Sequence, residues 1–268
     1  MSDRVVVERL AGGVADVRLN RPDKMNALDI AMFEALVEAG TELARDASLR
    51  AVVLSGEGRA FSAGLDFSSF QGMAGGGAGG RSLLAREDAG PANFAQRAAW
   101  VWTEVPVPVI AAVHGVAYGG GLQIALGADL RLVAPDARLS VMEVKWGLVP
   151  DMSGTQTLRR LVPLDVAKEL TFTGRVVSGS EAVALGLATR VADAPRAAAL
   201  ELAAEIAAKS PDAIRAGKRL LDASVRMSVE EGLRLEEQLQ RGLIGRPNQI
   251  EAVRANLEKR TPTFRDPA

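Results

Sequence analysis

The chain has 268 residues, 48% of them hydrophobic, enough to bury a sizeable core in one or two domains. Lysine and arginine total 32 against 33 aspartates and glutamates, a net charge of −1, so no general electrostatic pull toward nucleic acid or a membrane surface is expected. There is no cysteine and a single histidine, His114, which excludes disulfides, thiol chemistry, and cysteine or multi-histidine metal sites.

The opening MSDRVVVERL lacks the apolar run of a signal peptide. No stretch reaches the ~18 uncharged apolar residues of a membrane span. The expectation is a soluble, cytoplasmic protein.

Val5–Arg9 and Val14–Leu19 read as a hairpin around Ala11-Gly12-Gly13. Asp29 is placed to cap a helix running to about Asp46, with Met32, Phe33, Leu36 and Leu43 on one face. Ala51–Ser55 reads as a buried strand. The low-complexity stretch GMAGGGAGG at 72–80 has no strand before it and no helix start close behind. It reads as a mobile loop, not a dinucleotide-binding turn. The pattern over 82–104 is helical, and Val109–Val113 and Leu130–Ala134 read as strands. From Ala194 onward the pattern is nearly all helical, in segments 197–209, 213–224, 229–243 and 249–259. The chain thus reads as repeated β–β–α units over 1–195 and a helical region over 196–268, with no repeat of fixed period.

The strand at 109–113 breaks at His114-Gly115 and leads into Gly119, Gly120 and Gly121, directly before the apolar helical stretch Leu122–Leu126. Three glycines opening a helix leave backbone N–H groups uncovered where the helix dipole favours negative charge. Such a site suits a phosphate, or an oxyanion that exists only during reaction. The bland alternative for Gly120 is close packing of the helix start against a strand. His114 reads as a turn residue bonded to backbone, with catalysis the minor alternative. Glu143 is flanked by Val141, Met142, Val144 and Trp146. Apolar surroundings raise a carboxyl pKa, which suits a proton carrier near neutral pH.

Two segments, FSAGLD at 61–66 and HGVAYGGG at 114–121, together resemble the signature loops of the crotonase superfamily, the enoyl-CoA hydratase/isomerase family. RPDKMNAL at 21–28 looks like its coenzyme A segment. GLVPDMSGTQTLRRL at 147–161 and TGRVVSGSEAVALGLATRVAD at 173–193 look like its later landmarks. Order and spacing agree across roughly residues 5–260.

The resemblance implies an α/β fold: a spiral of stacked ββα units with a C-terminal helical region that assembles the chain into trimers, often paired as hexamers. It implies an acyl-CoA substrate, with coenzyme A part of that substrate, no separate cofactor and no metal. By position, the amides of Leu65 and Gly120 would hold the thioester oxygen as an enolate forms, and Glu143 matches the second catalytic glutamate. Lys24, Ala27, Ala63 and Asp66 fall where the family holds coenzyme A. Phe67, Phe70, Met142, Trp146 and Met152 would line the acyl pocket.

Gln123 departs from the pattern. It stands where hydratases carry their first glutamate, and an amide can position a water or a carbonyl but cannot transfer a proton. Asp151 is a second departure, since hydratases have glycine there. Pro150-Asp151 is also an ordinary turn pair. Dienoyl-CoA isomerases resemble this chain in carrying an acid at 151, although they also carry one at 123. Aryl-CoA dehalogenases use an aspartate at this place with an upstream histidine, and no histidine precedes His114. Double-bond isomerisation by Glu143 and Asp151 is therefore favoured over hydration through Glu143 alone, and a catalytically idle coenzyme A-binding paralogue stays open. RNA binding, known in some relatives through a lysine-rich helix, is disfavoured, because 29–46 has no lysine and carries Glu34, Glu38, Glu42 and Asp46.

Overall fold

The structure, a computed structural model, describes residues 3–66, 68, 82–86 and 90–267. The β-branched runs pair as their burial demands. β1 (Val5–Leu10) and β2 (Val14–Leu19) form the expected antiparallel hairpin. β2 then pairs in parallel with β3 (Ala51–Gly56), and β3 with β4 (Val109–Val113). The sheet continues through β6 (Leu130–Val133) to β9 (Arg190–Val191), also in parallel. The six strands lie in the order β1-β2-β3-β4-β6-β9. A second ladder joins β5 (Val116–Tyr118), β7 (Arg138–Ser140) and β8 (Val177–Ser178). Single parallel bridges at Leu28–Leu65 and Ser62–Ala117 stack successive turns of chain in the same manner.

β3 and β4 are apolar at every core position because the sheet is covered on both sides, as buried parallel strands require. Val52, Leu54, Val109 and Ala111 face a large core with α1 (Ile30–Arg45) and α2 (Phe94–Glu104). Val53, Ile110 and Ala112 face the other way, against Ala199 and Ala203 of α7 (Pro195–Ala207). The expected face of α1 is buried, and Asp29 accepts a bond from the Met32 N–H at 2.9 Å. α3 (Gly120–Leu126) is buried throughout.

The helix expected over 82–104 is shorter. Among the described residues of that span only 94–104 is helical, and Ser82–Ala85 forms a turn closed by the Ala85 N–H on the Ser82 carbonyl. Pro91 disfavours helical backbone just before it. Asn93 then starts α2 with a capping box, exchanging bonds with Gln96. The loop read at 72–80 lies outside the described residues.

Beyond β7 come α4 (Gly154–Leu161), α5 (Leu164–Thr173) and α6 (Gly179–Leu185). The tail forms α8 (Pro211–Ser224), α9 (Val229–Leu243) and α10 (Pro247–Leu257), close to the segments read from the sequence. Two cations of α8 dock it, one onto the strand layer and one onto the loop after α1. Lys218 pairs with Asp129 at 2.6 Å, whose carboxylate also takes the Val109 N–H. The Arg215 guanidinium donates to the carbonyls of Asp46, Ala47 and Leu49 just past the end of α1.

Candidate active site

The glycine loops meet at the mouth of one cavity. Leu28 donates to the Gly64 carbonyl at 2.8 Å and accepts from the Asp66 N–H at 3.0 Å. This parallel bridge turns the Leu65 N–H away from Leu28. Gly120 is the first residue of α3, so its N–H has no partner within the helix. Neither amide has a hydrogen-bond partner among the described residues. Gly64 (φ +86°) lets the two loops approach, because a Cβ there would lie 2.5 Å from the Tyr118 carbonyl oxygen and 3.7 Å from the Gly120 nitrogen. Two fixed backbone donors at one cavity form the arrangement that stabilises a developing oxyanion.

The cavity has a volume of about 510 Å³. Leu65, Gly120, Glu143, Asp151, Lys24, Ala27, Ala63, Asp66 and Trp146, all read from the sequence, line it together with Met142 and Met152. Phe67 and Phe70, also read as lining, lie outside the described residues. Phe33, Leu83, Leu84, Ala95, Tyr118 and Leu148, none of them read as a site residue in the sequence, complete the wall with Gly64 and Gly119. Each carries an ordinary core or turn signature, and only the fold brings them together.

Gln123 stands apart from this set. It is buried, 2% exposed, and does not line the cavity. Its Nε2 donates to Glu143 Oε1 at 2.5 Å, and its Oε1 accepts from the N–H groups of Met152 and Gly154, both at 2.9 Å.

Glu143 opens a 3-10 turn, Glu143–Trp146, and is 8% exposed. Burial raises its pKa, the Gln123 hydrogen bond offsets part of that, and the nearby Asp151 charge adds to it. Its Oε2 is buried with no hydrogen-bond partner. Asp151 is exposed on the cavity rim, yet the surrounding chain desolvates its carboxyl enough to raise that pKa as well. Asp66 behaves oppositely. Hydrogen bonds from Ser68 first, then the Arg21 guanidinium at 2.5 Å, hold it down at about 2. It stays ionised, whereas Glu143 and Asp151 are shifted toward proton exchange nearer neutral pH.

The 21–28 segment is built around Asn26, a residue singled out only as part of its motif. Asn26 is fully buried, its side chain takes the Arg21 N–H at 2.8 Å, and it donates to the carbonyls of Glu57 and Ala60. Met25 and Asn26 both have positive φ, which an asparagine tolerates. His114 Nε2 lies 2.9 Å from the Gly58 carbonyl, as a turn residue bonded to backbone would. Among the described residues no group of three or more acidic or histidine ligands gathers as for a metal, and no helix is long and apolar enough to cross a membrane.

The profile of the enoyl-CoA hydratase/isomerase family matches residues 9–267. The chain belongs to that family. It is 34% identical to human "Enoyl-CoA hydratase domain-containing protein 2, mitochondrial", over 97% of this chain and 89% of the relative. It is 32% identical to mouse "Methylglutaconyl-CoA hydratase, mitochondrial", over 94% and 80%. The crystal structure of an enoyl-CoA hydratase from Bacillus anthracis superposes with a TM-score of 0.87 at 30% identity, covering 98% of this chain and all of that one. The fold is the crotonase fold expected from the loops, and the chain is an enzyme of the crotonase superfamily.

Proposed function

We propose that this enzyme shifts a double bond along the acyl chain of a coenzyme A thioester through an enolate held by the Leu65 and Gly120 amides. The observation that carries this reading is the placement of the acids. Glu143 and Asp151 both line the cavity beside the two free amides, while the Gln123 amide is turned into the protein. Moving a double bond removes a proton from one carbon and returns one at another, and two carboxyls at separate points on the wall suit that task. Glu143 takes the proton whose loss generates the enolate. Asp151 serves the more distal carbon. Lys24, Ala27, Ala63 and Asp66 hold the coenzyme A arm, and Trp146, Met142 and Met152 enclose the acyl group. Each oxyanion donor supplies ~3–4 kcal/mol of transition-state stabilisation. Coenzyme A enters as part of the substrate.

Hydration of a 2-enoyl-CoA through Glu143 is the second reading, favoured by the hydratase names of the relatives. It needs a partner for the attacking water other than Gln123. A doubly unsaturated acyl-CoA and crotonyl-CoA, each offered to wild type and Asp151→Asn, separate the two. Under the isomerase reading Asp151→Asn suppresses the double-bond shift more than any residual hydration. Robust hydration that survives Asp151→Asn, with no isomerisation by wild type, would overturn it.

A further inference from the structure

Gln123 is a buried amide with three hydrogen bonds, one to Glu143 and two to the turn at 152–154. Its Oε1 takes two backbone N–H groups, those of Met152 and Gly154, which flank Ser153. Ser153 is a non-glycine residue at φ +67°, a conformation that persists only where neighbours enforce it. Asp151 is the residue immediately before this turn. With the oxygen engaged twice, the amide orientation is fixed, and its Nε2 must point at Glu143. Glu143 Oε1 then lies between that N–H and Gly119, where a Cβ would come within 3.3 Å of it. Oε2 is left without a partner, on a residue that lines the cavity.

We infer that Gln123 is a positioning residue: it fixes the orientation of the Glu143 carboxyl that exchanges a proton with the acyl group, and it ties the Asp151 turn to Glu143 so that the two acids keep one spacing. The inference rests on reading Glu143 as the proton carrier. It replaces the role expected of an amide at this position, that of orienting a water or a carbonyl of the substrate. The donated N–H also favours the ionised form of Glu143, so Gln123 offsets part of the rise that burial imposes and lowers the pH at which that carboxylate becomes a base. The other titratable groups on the described cavity wall are Asp151, Asp66, Lys24 and Tyr118. Of these, Asp151 acts on Glu143 through its charge.

Two variants separate the halves of the role. Gln123→Glu keeps an oxygen for the Met152 and Gly154 amides but replaces the donor to Glu143 with negative charge. Gln123→Met removes both. The pH profile of kcat is measured for wild type and both variants, using whichever conversion of an acyl-CoA the wild type performs, double-bond shift or hydration. The limb on which Glu143 must lose its proton moves upward by roughly one to two pH units in both variants, the equivalent of one hydrogen bond to a charged group. KM stays within about threefold, because the coenzyme A contacts are untouched. Raising the pH restores kcat in Gln123→Glu more fully than in Gln123→Met, whose turn at 152–154 has lost its acceptor. If Gln123→Met does not fold, Gln123→Glu alone decides. A limb that coincides with the wild type in the folded variants overturns the inference. If the wild type hydrates and does not isomerise, the isomerase reading falls while the limb comparison still decides on Gln123.

Discussion

Leu28 and Leu65 share one parallel bridge, and that bridge determines where the Leu65 N–H points. The coenzyme A segment and the oxyanion segment are therefore one structural unit. Arg21 reinforces it by donating to both the Ala27 carbonyl and the Asp66 carboxylate. The thioester oxygen of a bound acyl-CoA is expected within ~3 Å of the Leu65 and Gly120 nitrogens. Gly120→Pro removes one donor at a helix position that accepts proline's φ. Turnover should fall by at least ~10². Gly120→Ala keeps the donor but brings a Cβ to 2.7 Å from Met152 Sδ, and so isolates the packing cost. Equal losses in the two variants would show that the amide is not the source of the effect.

Glu143→Gln should lower kcat by at least ~10² while raising stability at neutral pH. A carboxyl whose folded pKa lies above its unfolded value holds its proton more tightly when folded. Its ionisation costs nothing below the unfolded value, and the cost grows as pH rises through the folded value. The variant, which cannot ionise, should melt higher than wild type at pH 7, and the difference should vanish below about pH 4. Melting curves at both pH values check this. A variant that melts lower at pH 7 would mean the ionised carboxylate is better satisfied than its unpartnered Oε2 indicates.

Asp66 has the opposite sign. Its folded pKa, about 2, lies below the usual carboxylate value, so its contribution is present above the unfolded pKa and is lost as pH falls through the folded one. Asp66→Asn should cost about 2 kcal/mol at pH 7 and less at pH 3, as read from urea unfolding. An equal cost at both pH values would assign the effect to shape and not to charge.

The long strands, α1 and the tail helices are legible in the sequence because each carries a sustained period or a β-branched run. The start of α2 is not legible because a helical pattern continues upstream of Asn93, where Pro91 and the capping box overrule it. β8 and β9, with two residues each, are too short to leave a pattern. At the site, residue identity at a motif position was enough to place Glu143, Asp151, Leu65 and Gly120 at one cavity. It was not enough for Gln123. Whether an amide faces the substrate or the protein depends on where backbone donors such as Met152 N–H and Gly154 N–H lie, and only the fold sets that.

Assembly is expected to involve the tail. Val229, Leu233, Val253 and Leu257 are 80%, 58%, 50% and 79% exposed on the single chain, more large apolar surface than α9 and α10 would leave in water. Sedimentation at micromolar concentration should give a trimer or hexamer of the 28.2 kDa chain, and removal of 249–268 should weaken it. A full-length mass near that of one chain would contradict this.

The mass spectrum of the product formed from a doubly unsaturated acyl-CoA tests the two-acid account most directly. Isomerisation by Glu143 and Asp151 gives a product of unchanged mass, which takes up deuterium but no oxygen when the reaction is run in heavy-isotope water. Asp151→Asn should lose that conversion. A product heavier by one water, carrying oxygen from the solvent and formed equally well by Asp151→Asn, would contradict it.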